Sequence, residues 1–253
     1  MGQFTTLIFL FFLVSLAYTQ KLQINELDTV LSLQDTQKTE SSFLKKEIIP
    51  ISLATTSLAI MAIPNLKENI QSRLNWNNPL NNPEYIDLGD DYLRYAPAVA
   101  AYALSALGLK SKHRFLDRSA ILAVAYIASD FVVHNTKNIT KVERPNQDEF
   151  TSMPSQHTAV AFIAASFLDH ELGYISPWIS VGGYLAAGYV AYARVARNAH
   201  WTSDVLMGAA VGLTMTNLTY LAYDGIMRLF PKNLTLSPIV GSQQTGLYVC
   251  YRF

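Results

Sequence analysis

A single cysteine, Cys250, is all that the 253-residue chain contains. That excludes an intrachain disulfide framework and a Cys-rich zinc site. Charge is scarce as well: Asp, Glu, Lys and Arg make up 15% of residues, against roughly 25% in an ordinary soluble domain. The 19 basic residues balance the 19 acidic ones, so no bulk positive charge is available to hold a nucleic acid. No carboxylate cluster or HxxxH spacing offers a metal site, and no cofactor is expected. What fills the chain instead is apolar: half of the residues, with a mean hydropathy of +0.16. This composition excludes a disordered chain and directs attention to a membrane protein or a well-buried helical one.

The first 19 residues read as a secretory signal. Leu7 to Ala17 is an unbroken apolar run, and the small residues Ser15, Ala17 and Thr19 offer a cleavage site. An uncleaved anchor is the alternative, because the run has no Lys or Arg before it. Residues 20–92 follow as amphipathic and apolar helices plus an irregular connection, the Asn- and Pro-rich stretch from Asn65 to Asp91. Residues 93–228 form the expected helical bundle. Residues 229–253 form a tail with two β-like stretches, Leu234–Gly241 and Gly246–Phe253, around a turn-prone Ser242–Thr245.

The apolar stretches are Ile48–Ile63, Leu93–Leu109, Ser119–Val133, His157–Leu168, Ile175–Tyr192 and Val205–Ala222. None alternates as a strand would, so the spacing predicts helices and an all-α, multi-helix bundle with a short C-terminal hairpin. Most stretches are at or below the ~20 apolar residues that span a bilayer. The loop after Leu109 carries Lys110, Lys112, Arg114 and Arg118 against one acid, Asp117. The positive-inside rule places it in the cytoplasm and the loops at 137–155 and 194–204 outside. Counting Ile48–Ile63 as a further span reverses that assignment.

Three polar clusters interrupt these runs: Lys137 to Pro145, Pro154 to His157, and Ala193 to Asp204. Each alone has an ordinary explanation. Lys137 and Arg144 could be solvated charges, Ser155 a helix cap, and His200 with Asp204 a surface i, i+4 pair. Together they sit at helix ends. An up-and-down bundle brings the loop before His157 and the loop before Asp204 to one end. One pocket then gathers Lys137, Arg144, Arg194, two histidines and a carboxylate. Three cations beside a helix N-terminus suit a phosphate.

The same residues carry a resemblance. Lys137 precedes Arg144-Pro145 by six residues, Pro154-Ser155-Gln156-His157 follows, and Arg194 precedes His200 by five residues and His200 precedes Asp204 by three. This chain thereby resembles the type 2 phosphatidic acid phosphatase superfamily, which also includes bacterial acid phosphatases and vanadium haloperoxidases. The family pattern is K-x6-R-P, P-S-G-H and S-R-x5-H-x3-D. The motifs cover 137–204, and the surrounding helices extend the resemblance to roughly 93–228. Gln156 stands where the family has Gly, and Ala193 where it has Ser.

The resemblance implies a metal-independent phosphatase working through a phosphohistidine. Lys137, Arg144 and Arg194, with Ser155 and the Gln156 amide, would hold the phosphoryl oxygens. His200 would attack phosphorus, Asp204 would orient it, and His157 would protonate the leaving oxygen and then activate water. His113, His134 and His170 fall outside the motifs and read as structural or surface residues, and Asp130 within its apolar helix is a functional suspect.

Three readings follow. The first is an envelope enzyme hydrolysing a phosphate monoester or pyrophosphate of a membrane lipid, similar to those acting on lipid A, phosphatidylglycerophosphate or undecaprenyl pyrophosphate. It would lie in a bacterial-type inner membrane with its site facing the periplasm. The second is a soluble periplasmic acid phosphatase of wide range. The third is a headgroup-binding envelope protein with a degenerate site.

Overall fold

In the computed structural model the described residues are 26–78, 87, 89–229, 234–240 and 245–251. The signal expected at 1–19 and the tip of the C-terminal turn lie outside them. The chain divides into two compact units, Met1–Lys46 and Glu47–Phe253. The described part of the first is helical from Glu26.

Helix α1 spans Glu26–Ala62 and carries Pro50 within it. Helix α2 (Leu66–Leu74) and the one-turn α3 (Asp90–Leu93) follow. Both fall in or at the edge of the stretch that the sequence suggests is irregular, because Asn and Pro mask short polar helices. Helices α4 (Ala96–Ala106), α5 (Phe115–Thr140), α6 (Gln156–Leu172), α7 (Pro177–Ala196) and α8 (Thr202–Leu229) build the bundle. Strands β1 (Leu234–Val240) and β2 (Thr245–Tyr251) pair antiparallel, with Leu234 opposite Tyr251 and Val240 opposite Thr245.

Helix α6 is the centre. It packs against α4, α5, α7 and α8. Its small residues Ala159, Ala161, Ala164 and Ala165 are fully buried, as are Ile163 and Phe167. A helix apolar on all sides belongs inside a bundle, not on its rim. One core cluster joins Ala98, Ala101, Ile121, Phe167, Leu172 and Tyr220. A second joins Ala161 and Ala165 to Ala187 and Val190.

Helices α6 and α8 approach at backbone distance. A Cβ on Gly208 would sit 2.5 Å from the Ser155 carbonyl oxygen, and one on Gly212 would sit 2.4 Å from that of Ala159. Small residues four apart let two helices close in this way.

The outer surface is apolar. Val124 and Ile127 on α5 and Trp178, Val181, Leu185 and Tyr189 on α7 are exposed. Among the described residues Thr202–Arg228 is long and apolar enough to cross a membrane, and a bent helix pair counted as one span would make two.

A buried polar network lies away from the three motif clusters. Glu171, fully buried, accepts from Tyr220 Oη at 2.7 Å and from the His113 backbone N–H at 3.0 Å, with His113 Nδ1 at 2.8 Å. His170 stacks on Tyr220 and meets Asn217 Oδ1 at 3.1 Å, and Asn217 donates to Glu47 at 2.8 Å. His113 and His170 are therefore held in packing, while His134 is exposed. The network satisfies groups whose isolated burial would be costly.

Candidate active site

The loop from Lys141 to Ser155 folds back on the end of α5. Lys141 closes that helix in the left-handed region, φ 46°. The Ser152 backbone N–H donates to Val142 O at 2.9 Å, and that of Arg144 donates to Glu149 O at 2.9 Å. Lys137, in the last turn of α5, donates to the Thr151 carbonyl at 2.5 Å. Arg144 pairs with Glu149 at 3.2 Å and reaches Thr151 Oγ1 at 3.4 Å. The first motif is thereby set against the residues that lead into the second.

The second motif begins α6. Ser155 occupies the N-cap position, but its hydroxyl does not cap; it accepts from Thr158 Oγ1 at 3.1 Å instead. Its backbone N–H donates to the Asp204 carbonyl at 3.0 Å. The free amides of the first turn of α6 therefore start beside α8. Gln156 turns its side chain toward α5 and donates to Asp130 Oδ1 at 3.0 Å. Asp130 is thus engaged by Gln156 rather than by Lys137 or Arg144.

The third motif closes the site. The sequence spacing suggests His200 and Asp204 on one helical face, but His200 lies in the loop ahead of α8 and Asp204 in its first turn. The two still meet: His200 Nδ1 is 3.7 Å from Asp204 Oδ2. That is ion-pair range, and beyond a hydrogen bond. Asp204 is fully buried, and its Oδ2 also accepts from the Trp201 backbone N–H at 2.9 Å and from the Ser152 hydroxyl. The loop itself is held from α2. Gln71 donates to Val195 O at 3.0 Å and to Asn198 Oδ1 at 2.9 Å, where Asn198 takes φ 57°.

Two acids that the motif reading missed complete the arrangement. Asp90, fully buried at the start of α3, takes Arg194 at 3.2 Å and Arg197 through a close pair. Asp91 beside it contacts His157 Nε2 at 2.7 Å. Both lie just ahead of residue 93, where the bundle was expected to begin. A signal did exist: two consecutive acids after a glycine, Gly89, in an otherwise Asn- and Pro-rich stretch.

Electrostatics tie the parts together. Burial pushes the His200 imidazole down to about 4, with Arg194 and Lys137 acting the same way and Asp204 opposing. Burial likewise brings His157 to about 4, helped by Arg194 and Arg94 and opposed by Asp91. Burial would raise the Asp91 carboxyl, but His157, Arg197 and Arg194 outweigh it and hold it below its ordinary range. Burial is the larger cause for each of these basic groups, and the neighbouring cations add to it; an anion bound there would offset the second effect. Buried Nε atoms of Arg144 and Arg194 and Nδ1 of His200 have no hydrogen-bond partner among the described residues. No group of three or more His, Cys, Asp and Glu is gathered for a metal among those residues.

Residues 118–228 match the family model described as the PAP2 superfamily. The chain is 34% identical over 140 residues to a lipid A 1-phosphatase of Porphyromonas gingivalis. That match covers 55% of this chain and 32% of the relative, so the chain spans about a third of that protein's length. Among solved structures it is similar to Aquifex aeolicus LpxE, with TM-score 0.46 and 19% identity, over 61% of this chain and 94% of that one. It is also similar to a transmembrane PAP2-type phosphatidylglycerolphosphate phosphatase from Bacillus subtilis, with TM-score 0.47 and 17% identity, over 72% and 98%.

Proposed function

We propose that this protein is a phosphatase that hydrolyses a phosphate monoester or pyrophosphate of an envelope lipid through a phosphohistidine. The observation that carries the reading is the convergence of Lys137 and Arg194 on the buried His200–Asp204 pair, with Arg144 beside Lys137 and His157 close enough to feel Arg194.

Lys137, Arg144, Arg194, the Ser155 hydroxyl and the Gln156 amide bind the phosphoryl oxygens and stabilise the equatorial charge that develops. Asp204 lies on the Nδ1 side of His200. That leaves Nε2 for phosphorus, and depression of the imidazole keeps it neutral and nucleophilic at pH 7. The phosphorus–oxygen bond breaks as the phosphorus–nitrogen bond forms, and His157 gives the leaving oxygen its proton. Arrival of the phosphate's negative charge raises His157 from its depressed value and loads that proton. Neutral His157 then takes a proton from the water that cleaves the phosphohistidine.

The substrate class is a phosphorylated lipid. The exposed apolar faces of α5 and α7 support a bilayer around the bundle, and Thr202–Arg228 supports a span. The similarity to the lipid A 1-phosphatase of Porphyromonas gingivalis supports lipid A as one candidate. The placement is an inner membrane with the site outside. The test is phosphate release by purified protein in detergent, with EDTA present, from lipid A, phosphatidylglycerophosphate, undecaprenyl pyrophosphate and p-nitrophenyl phosphate. Turnover of at least one lipid and a trapped phosphohistidine support the reading. Inactivity on all four, or activity restored only by a divalent ion, rejects it.

A further inference from the structure

We propose that Asp91 is the positioning carboxylate of His157, so that both histidines of the site work as His–Asp pairs, and the second pair is supplied from outside the three motifs. This rests on the phosphatase reading above and adds a residue to it.

The contact is direct: His157 Nε2 and Asp91 Oδ1 are 2.7 Å apart. Exposure alone would make such a pair weak, since the Asp91 side chain is 57% exposed. Its backbone is nevertheless anchored. The neighbouring Asp90 is completely buried and held by Arg194 and Arg197, both on the loop side of α7. Helix α3 is also fixed at its start, where Gly89 adopts φ 63° and donates to Asp87 at 3.0 Å. Two consecutive carboxylates thus do different work. Asp90 locks the turn onto the phosphate-binding arginine, and this lock holds Asp91 against the imidazole.

The contact decides which nitrogen reacts. With Nε2–H donated to Asp91, the proton that reaches the leaving oxygen is on Nδ1. The P–O electron pair leaves with that oxygen, which takes the Nδ1 proton. Nδ1 then accepts a proton from the attacking water, and Nε2–H stays in place through both steps. A carboxylate holding the far nitrogen fixes ring orientation and stabilises the imidazolium form.

The charged groups around His157 are Asp91 on α3, Arg94 after it, and Arg194 on α7, with Arg197 acting on Asp91. On the flanking helices, Asp130 of α5 is engaged by Gln156, and Asp204 of α8 by Ser152, Trp201 and His200. Asp91 is therefore the carboxylate in contact with His157, opposed by two arginines.

The experiment compares wild type, Asp91→Asn and Asp91→Glu in single-turnover leaving-group release from phosphatidic acid micelles and from p-nitrophenyl phosphate, across pH. For Asp91→Asn the expected loss on phosphatidic acid is about 10–100-fold, a part of the ~10²–10⁴-fold that a general acid supplies. The loss on p-nitrophenyl phosphate, whose leaving group needs little protonation, is smaller. The basic limb of the phosphatidic acid profile moves to lower pH, because removing the carboxylate lowers the imidazole pKa. Asp91→Glu recovers part of the rate. Equal losses on both substrates, or an unchanged rate and pH profile, overturn the positioning role while wild-type activity leaves the phosphatase reading intact. Wild type inert toward both of these and toward lipid A, phosphatidylglycerophosphate and undecaprenyl pyrophosphate overturns the two together.

Discussion

The Ser155 backbone N–H donates to the Asp204 carbonyl at 3.0 Å, so α6, which carries His157 in its first turn, and α8, which carries Asp204 in its own, are joined at their starts by one hydrogen bond. The bond joins main chain to main chain. It ties the start of α6 to the start of α8 without relying on any side chain.

The two histidines should fail differently. His200→Ala should abolish the phosphoenzyme and turnover together on every substrate. His157→Ala should lose about 10²–10⁴-fold on a lipid phosphate, the range for a missing general acid. It should be partly rescued by p-nitrophenyl phosphate. A phosphohistidine trapped in His200→Ala would reverse the assignment.

Stability should depend on pH through His200. Its folded-state value, about 4, lies below the unfolded value of 6.5. The unfolded chain therefore binds the proton first on acidification. The stability associated with this group is full above pH 6.5 and is lost as pH falls toward 4. Thermal unfolding in detergent should show a falling midpoint over that window, flattened in His200→Gln. An equal slope in the variant would place the dependence elsewhere.

Gln156→Gly should leave most of the chemistry in place. Its side chain makes one exposed hydrogen bond, to Asp130. An exposed bond to a carboxylate contributes about 1.5 kcal/mol, the low end for a charged partner, or about tenfold in a rate or affinity. Steady-state kinetics on p-nitrophenyl phosphate would check this. A loss beyond a hundredfold would mean that the side chain itself touches the phosphate.

The orientation can be read from two surface positions. In a Cys250→Ser background, Asp148→Cys beside the site should react with an impermeant thiol reagent in intact cells, and Lys112→Cys in the basic loop should not. Labelling of Lys112→Cys alone would invert the arrangement.

Much of this was legible because it is local. The apolar runs from Leu93 to Ala222 mark the helices α4 to α8, although the helices extend past the runs at several ends. The three motifs carry fixed spacings, and the chain keeps Lys137, Arg144, Arg194, His200 and Asp204 in register. What was hidden is contact across long separations. Asp90 meets Arg194 from 104 residues away and Gln71 meets Asn198 from 127. Neither pair leaves a period in the sequence. The surrounding Asn and Pro residues also disguised α2 and α3 as loop.

Gly208 and Gly212 bring α8 within backbone range of Ser155 and Ala159. A methyl group at either position would meet a carbonyl oxygen, which cannot rotate aside as a side chain can. The separation between α6, which carries His157, and α8, which carries Asp204, is therefore set by two missing atoms. The exposed apolar residues of α5 and α7 are free of that constraint. Such a molecule can change its outer surface extensively, to suit a thicker bilayer or a bulkier acyl chain, while its reaction distance stays fixed.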